Sequence, residues 1–209
     1  MPSNFKGLYA ISNGPRTDLR DVCAAALSGG ARMLQYRDKT ADTTRRLREV
    51  HALVALCAPL GAPMLVNDDV ELAAATGAAG VHLGRDDTDV ARARKRLGAD
   101  AIIGVSCYNS IERARDMAAA GADYLAFGAF FTSSSKPSAC QANPQILRDA
   151  RALGLPVVAI GGITPDNGAT LIEAGADCLA AIAAVFDAID VQTAARRFSD
   201  LFATRNPGA

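Results

Sequence analysis

The sequence lacks tryptophan, an excess of charge of one sign, and any long apolar run. Its 22 Lys and Arg balance 22 Asp and Glu, and no window is strongly basic, so we expect no nucleic-acid partner. The longest apolar stretch, residues 178–186, is far shorter than the roughly 18 residues of a membrane helix. We therefore expect no membrane span. Half of the residues are hydrophobic, which predicts a globular core.

Paired cysteine motifs are also missing. The 5 cysteines are odd in number, widely spread and contain no C-x-x-C pair, which excludes a disulfide framework and a cysteine zinc site. The first six residues carry one positive charge, and no apolar run that could serve as an export signal follows them. These features predict reduced, mostly buried thiols in a cytoplasmic protein.

An internal repeat organises the chain. Segments beginning at Gly30, Gly77, Gly121 and Gly175 each follow an Ala-rich helical stretch and lead into a short apolar run. Glycine suits the left-handed position that ends many helices, and the apolar run predicts a strand. Each interval between these glycines is long enough for two β-α units.

Eight short apolar runs without alternation predict strands that are covered on both faces. They comprise residues 8–11, 33–36, 64–66, 80–83, 102–105, 124–127, 157–160 and 178–182. Their strict alternation with helical segments predicts an α/β fold, a (β/α)8 TIM barrel, as one domain over residues 1–209. An open doubly wound sheet and a division into two small domains are the alternatives.

In a barrel of this kind the chemistry lies after the carboxyl ends of the strands. After strand 2, Gln35, Arg37 and Lys39 occupy alternate positions. In an extended segment their side chains are on the same side, so we expect them to point together toward the barrel mouth. Inward cations are costly unless an anion meets them, so they predict an anionic ligand. A solvated charged loop is the alternative.

Carboxylates follow the next two strands. Asn67-Asp68-Asp69 comes after strand 3, and Asp86-Asp87 comes after strand 4. Such oxygen ligands predict a hard cation such as Mg²⁺, completed by waters and a substrate phosphate. Helix capping is the alternative for any one of these aspartates.

Hydroxyl and glycine residues follow the remaining strands. Ser106 ends strand 5, and a hydroxyl run at 132–135 closes on Lys136 after strand 6. Gly161 and Gly162 follow strand 7, before Thr164 as a predicted helix N-cap, and Ile182 and Ala183 end strand 8. The loops after strands 7 and 8 of such barrels often bind phosphate. A local cap at Ser106 and a surface loop at 132–136 are the alternatives. Of the two histidines, His51 is expected to be exposed and His82 to line the site or pack.

These motifs together resemble the thiamine phosphate synthase family. They are Leu8 to Ile11, Gln35-x-Arg37-x-Lys39, Asn67-Asp68, Gly80 to Gly84 with Asp87, Gly104 to Ser106, Ser133 to Lys136, and Ile160 to Ile163. They span nearly the whole chain and seven of the eight strand ends.

The resemblance implies a magnesium-dependent transferase. It would join a pyrimidine methyl diphosphate to a thiazole ethyl phosphate, giving thiamine phosphate and diphosphate. The implied catalytic residues are Arg37, Lys39, Ser106 and Lys136, and the implied Mg²⁺ ligands are Asp68 and Asp87. The implied binding residues are Gln35, Arg37, Lys39, Asn67, Ser106 and Lys136 for the pyrimidine diphosphate, and Ser133, Ser134, Ser135, Gly162, Ile182 and Ala183 for the thiazole phosphate. Tyr36 and Asp38 are also implied to bind substrate.

Some positions depart from the family pattern. Ser133-Ser134-Ser135 stands where the family usually has Thr-Pro-Thr, and Ala183 where it usually has Ser. Two alternatives therefore stay open: a thiazole tautomerase of the sister family, and a non-catalytic barrel that binds a phosphorylated ligand. The sequence does not fix the oligomeric state, and a homo-oligomer is compatible with it.

Overall fold

A computed structural model describes residues 5–85, 87, 89–132 and 142–203. Eight parallel strands pair in chain order, and the last closes on the first, so the predicted TIM barrel is confirmed. The strands are β1 (Gly7–Ile11), β2 (Met33–Tyr36), β3 (Met64–Asn67), β4 (Gly80–Leu83), β5 (Ile102–Tyr108), β6 (Tyr124–Phe127), β7 (Val157–Ile160) and β8 (Cys178–Ala181).

Helices alternate with the strands on the outside of the barrel. They are α1 (Leu19–Ser28), α2 (Thr43–Cys57), α3 (Val70–Thr76), α4 (Val90–Leu97), α5 (Ile111–Ala119), α6 (Gln145–Ala150), α7 (Ala169–Glu173), α8 (Ala183–Phe186) and α9 (Val191–Ala203). Short 3₁₀ turns, Ala58–Leu60 and Arg151–Leu153, directly follow α2 and α6.

Helix α2 illustrates how the local sequence specifies these elements. The Asp42 side chain accepts a hydrogen bond from the Arg45 amide at 3.0 Å, which caps the first turn. Val50, Leu53 and Cys57 then recur at spacings of three and four, so they share one face, and all three are buried. Burying each such side chain contributes about 1.5–3 kcal/mol, which directs this face onto the barrel.

Two apolar clusters fill the two sides of the sheet. The barrel interior holds alternate strand residues, among them Tyr9, Ile11 and Tyr124, while the larger cluster lies between the strands and the helices. Leu8 and Ala10 belong to this outer cluster, so β1 turns successive side chains to opposite faces.

Helix α9 packs back against α1 beside the closing pair of strands. A Cβ on Gly29 would lie 2.6 Å from Cβ of Ala195, so only glycine permits this approach. Phe198 is fully buried there, and Arg196 Nη2 donates a hydrogen bond to the Ser28 carbonyl at 3.1 Å.

Several predicted boundaries need correction, and β1 and β3 are each one residue longer than predicted, from Gly7 and to Asn67. Strand β5 continues to Tyr108, so Ser106 lies within the strand rather than at its end. Strand β8 stops at Ala181, because Ile182 and Ala183 begin the short helix α8. Thr164 does not cap α7, which begins at Ala169 after a turn in which the Thr164 carbonyl accepts from the Gly168 amide at 3.0 Å.

Four of the cysteines, Cys23, Cys57, Cys107 and Cys178, lie in the described part of the chain and are free and buried. The fifth, Cys140, lies outside it. Across the described ranges, none of the helices has the length and apolar character needed to cross a membrane.

Candidate active site at the barrel mouth

The segment after β2 divides its side chains between the barrel and α2. Gln35 Nε2 donates a hydrogen bond to the Tyr9 hydroxyl inside the barrel, and Lys39 Nζ forms an ion pair with Asp68. Arg37 has the same parity and lies between them, half-buried; within the described ranges its guanidinium forms no ion pair or hydrogen bond. Among the described residues, the segment therefore presents one cation without a partner at the mouth.

Tyr36 and Asp38 face the other way. Asp38 Oδ2 lies 2.7 Å from Arg45 Nη2 of α2, and the Tyr36 hydroxyl donates to Glu49 Oε2 at 2.7 Å. The structure therefore turns both side chains toward α2 and away from the mouth, and the binding of substrate by these two residues stays a prediction. Their backbone remains beside Arg37.

The aspartates after β3 and β4 divide into caps and open carboxylates. Asp69 caps α3 by accepting from the Leu72 amide at 2.9 Å, and Asp89 caps α4 by accepting from the Arg92 amide at 2.7 Å. Asp68 instead adopts a left-handed backbone with φ of 63° and receives the Asn67 amide at 2.6 Å. Capping thus explains Asp69, and it leaves Asp68 free to face the mouth. Asp86 lies outside the described residues.

Asp87 lies close to Asp68. Its Oδ2 accepts a hydrogen bond from the Gly84 amide at 2.6 Å, which turns the carboxylate back over the end of β4. Burial and contact with the Asp68 carboxylate raise the pKa of Asp87 above its ordinary value, against the opposing effects of the Gly84 amide and Lys39. Two adjacent carboxylates, one of them with a raised pKa, are an arrangement that a divalent cation would stabilise.

A chain of hydrogen bonds crosses the barrel just below the mouth. Gln35 Nε2 donates to the Tyr9 hydroxyl at 2.5 Å, and the Tyr9 and Tyr124 hydroxyls lie 3.0 Å apart. His82 Nδ1 lies 2.8 Å from the Tyr124 hydroxyl, and His82 Nε2 lies 2.9 Å from Ser106 Oγ. We call these five residues the barrel-floor chain.

Burial keeps the barrel-floor chain uncharged. It lowers the pKa of His82 to about 4, although the Asp87 charge acts in the opposite direction. Burial also raises the pKa of both tyrosines, Tyr9 and Tyr124, well above the ordinary value. At neutral pH these two tyrosines and His82 are therefore uncharged. Each of them has one polar proton, so each can donate one hydrogen bond.

Glycine makes room for this chain. A Cβ on Gly104 of β5 would lie 1.8 Å from Cζ of Tyr124, so a side chain at that position would occupy the space of the ring. The Tyr124 ring also stacks on the His82 ring, with centroids 5.6 Å apart, and meets the Tyr9 ring edge-on. His82, expected to line the site or pack, thus packs on Tyr124 and bonds to Ser106, whereas the expected site residues include neither Tyr9 nor Tyr124.

The loop after β7 packs on the chain that follows β6. The Phe131 amide donates to the Gly161 carbonyl at 3.0 Å, and a Cβ on Gly162 would lie 2.5 Å from the Thr132 carbonyl oxygen. The Ala142 amide donates to the Ala129 carbonyl at 2.7 Å. Both flanks of segment 133–141 are therefore fixed next to the β7 loop. The predicted residues Ser133, Ser134, Ser135 and Lys136 lie outside the described residues.

Ile182 and Ala183 lie directly after β8, whose neighbours are β7 and β1. The Ile182 carbonyl accepts hydrogen bonds from the amides of Val185 and Phe186, which fixes the start of α8. The structure thus brings these two residues and Gly162 to adjacent strand ends, as the sequence predicts.

Comparisons with known proteins agree on one family. The profile described as thiamine monophosphate synthase matches residues 8–185. A thiamine-phosphate synthase of Chromobacterium violaceum is 54% identical over 98% of this chain and 100% of the relative, and one of Nitrosococcus oceani is 49% identical over 99% and 97%. Among solved structures, a thiamine phosphate pyrophosphorylase from Pyrococcus furiosus has a TM-score of 0.88 at 33% identity, covering 96% of this chain and 97% of that one.

Proposed function

The chain belongs to the thiamine monophosphate synthase family, and we propose that it catalyses the transfer its relatives are named for. In this reaction 4-amino-2-methyl-5-(diphosphooxymethyl)pyrimidine and 4-methyl-5-(2-phosphooxyethyl)thiazole give thiamine phosphate and diphosphate. The thiazole nitrogen bonds to the pyrimidine methylene carbon, and the carbon–oxygen bond to diphosphate breaks with its electron pair leaving on the diphosphate.

The observation that carries this proposal is the charge arrangement at the mouth. Arg37 is half-buried without a counter-ion among the described residues, while Lys39 is held on Asp68 beside Asp87. A buried guanidinium without a partner is costly, and its planar fork suits phosphate oxygens. An anion with several phosphate oxygens would stabilise Arg37, and it would release Lys39 from Asp68.

The two carboxylates fit a magnesium ion. The described residues contain no group of three or more acidic, histidine or cysteine side chains that could hold a metal alone. Mg²⁺ usually takes one or two carboxylates and completes its octahedron with waters and substrate phosphates. Asp68 and Asp87 would hold the ion, which when bound supplies positive charge that neutralises the leaving diphosphate.

The remaining roles follow from charge and position. Arg37, Lys39 and Lys136 would bind the diphosphate oxygens, Ser106 would donate a hydrogen bond to them, and Asn67 would orient Asp68. No general base is needed, because the attacking thiazole nitrogen carries a lone pair and the amino-substituted ring stabilises the developing cation.

The thiazole phosphate would lie between the ends of β6, β7 and β8. Gly162 contacts the chain at Thr132, immediately before Ser133, and Ile182 and Ala183 follow the neighbouring strand. Hydroxyls of Ser133, Ser134 and Ser135, with the backbone amides of Gly162, Ile182 and Ala183, would bind the phosphate. The replacement of a usual serine by Ala183 leaves the backbone donor in place.

We further propose that residues 1–209 form one domain in the cytoplasm. Helix α9 packs on α1 and β1, so both ends of the described chain join the same barrel. The free, buried thiols suit a reducing compartment.

The test is turnover with both substrates, followed by release of thiamine phosphate. We expect product with Mg²⁺, none after EDTA, and recovery on adding Mg²⁺ back. Asp87→Asn should raise the Mg²⁺ concentration for half-maximal rate by about tenfold or more.

Asp89→Asn is the matched control, since it removes one charge from the same loop at an exposed cap that asparagine also fills. It should leave the Mg²⁺ dependence unchanged. Absence of product with saturating substrates and metal would overturn the proposed function, and equal Mg²⁺ dependence of both variants would overturn the metal site.

A further inference from the structure

The barrel-floor chain can be read as a sequence of donors and acceptors. Gln35 Nε2 donates to the Tyr9 oxygen, so the Tyr9 proton is left to point at the Tyr124 oxygen. Tyr124 then has only its own proton to give, and the neighbouring acceptor is His82 Nδ1. Each hydroxyl therefore accepts on one side and donates on the other.

This order fixes the tautomer of His82. With Nδ1 accepting from Tyr124, the single ring proton of the neutral imidazole lies on Nε2, which donates to Ser106 Oγ at 2.9 Å. The Ser106 hydroxyl, already an acceptor, keeps its own proton to donate elsewhere. At the other end, Gln35 Oε1 accepts no bond within the described ranges and remains a free acceptor.

We propose that Tyr9, Tyr124 and His82 are positioning residues that impose one direction on this chain, making Ser106 a hydrogen-bond donor and Gln35 a hydrogen-bond acceptor toward the substrate. The benefit of this direction rests on the proposed function. A diphosphate presents only acceptors and therefore needs a donor at Ser106, while the amino group of the pyrimidine needs an acceptor.

The opposite direction is the competing arrangement. If the Gln35 amide turned its oxygen to Tyr9, every bond would reverse, and His82 would carry its proton on Nδ1. Ser106 would then donate to His82 Nε2 and present lone pairs to the anion. The two directions thus differ in an observable, the protonated ring nitrogen of His82.

The first experiment is ¹⁵N NMR of the full chain with labelled histidine at neutral pH. The chain has only 2 histidines, and a His51→Gln variant assigns the signal of exposed His51. We expect His82 to be protonated at Nε2 alone. Protonation at Nδ1, or a mixture of both forms as in a free imidazole, would overturn the proposal.

Variants then test whether the tyrosines impose the direction. Tyr124→Phe removes the donor to Nδ1, so His82 should become a mixture of tautomers, and kcat/KM for the pyrimidine diphosphate should fall about 10- to 100-fold. Tyr9→Phe leaves Tyr124 able to donate, so the His82 tautomer should persist while KM for the pyrimidine diphosphate rises. An unchanged tautomer and unchanged kinetics in Tyr124→Phe would overturn the role assigned to Tyr124.

Thr76→Val is the matched control, because it removes a buried hydroxyl that donates to the Leu72 carbonyl at 2.7 Å within α3. It should leave the His82 signal and the kinetics as in the unchanged protein. The NMR result needs no turnover, and its one variant, His51→Gln, changes an exposed residue outside the barrel-floor chain. If the protein shows no turnover but His82 is protonated at Nε2, only the proposed function is refuted. If the protein shows turnover but His82 is protonated at Nδ1, only this inference is refuted.

Discussion

Replacing Asp38 by asparagine tests how the segment that carries Arg37 and Lys39 is held. The Asp38 side chain has no exposed surface, and it lies 2.7 Å from Arg45 Nη2. It also accepts a hydrogen bond from the Thr40 amide at 2.8 Å, and its Oδ2 lies 3.2 Å from the Tyr36 hydroxyl oxygen. Asp38→Asn keeps the shape, removes the charge and turns one acceptor into a donor.

The size of the effect follows from this burial. Removing one partner of a buried ion pair costs about 3–5 kcal/mol. Arg45 also contacts Glu49 at 3.1 Å and is 20% exposed, so its charge keeps a second partner and some solvent. We therefore expect Asp38→Asn to lower the free energy of unfolding by about 3 kcal/mol, the lower end of that range.

Urea unfolding at neutral pH measures this change. The matched control is Glu71→Gln, which removes one carboxylate from the pair between Glu71 and Arg96 at 2.9 Å, where both side chains are largely exposed. Such pairs contribute about 0–1 kcal/mol, so the control should lie close to the unchanged protein. If the two variants had the same unfolding free energy, the assignment of Asp38 as a buried anchor would be refuted.

The same residue predicts a dependence on pH. Burial of Asp38 favours the neutral acid, but the Thr40 and Arg45 contacts outweigh it and lower the pKa of Asp38. A lowered pKa in the folded state contributes stability above the unfolded pKa of about 3.9 and loses it as the pH falls through the folded pKa. The difference between the unchanged protein and Asp38→Asn should therefore narrow below about pH 4, and a constant difference down to the folded pKa would contradict the cause.

Two further substitutions probe the site. Gly104→Ala would place a Cβ where the Tyr124 ring lies, so we expect a loss of about 1–3 kcal/mol in unfolding free energy, and a change below about 0.5 kcal/mol would contradict the packing. Arg37→Lys keeps the charge but loses the planar fork, so KM for the pyrimidine diphosphate should rise about tenfold with unfolding unchanged; an unchanged KM would remove Arg37 from the diphosphate site.

The barrel could be predicted because one pattern, a short apolar run followed by a helical segment, recurs along the chain. Apolar runs such as residues 33–36 and 124–127 coincide with the observed strands, since a strand covered on both faces tolerates few polar residues. The errors lie at strand ends. Strand β5 continues past Ser106 to Tyr108, and β8 stops before Ile182, because the end of a strand depends on backbone hydrogen bonds to neighbouring strands.

In the segment after β2, the alternation of side chains predicts which residues lie on the same side. Gln35 bonds to Tyr9 inside the barrel and Lys39 pairs with Asp68 after β3. Tyr36 and Asp38 contact α2, because they occupy the alternate positions of the same segment. Distinguishing the cap Asp69 from the open carboxylate Asp68 needed the backbone, because the two residues are adjacent and chemically identical.

The pairing of residues in the barrel-floor chain could not be predicted from the sequence. Tyr9 and Tyr124 belong to strands that otherwise read as apolar, and 115 residues separate them. Their hydroxyls meet because β1 and β6 both point these rings across the closed barrel, and because Gly104 leaves the space that Tyr124 fills. A signal existed in the sequence, since two tyrosines, a glutamine and a histidine occupy strand positions where burial without hydrogen bonds would cost about 1–3 kcal/mol each. Buried polar groups of this kind need hydrogen-bond partners. Inward-facing polar residues on different strands therefore predict a shared hydrogen-bond network, even where the sequence does not show which residues pair.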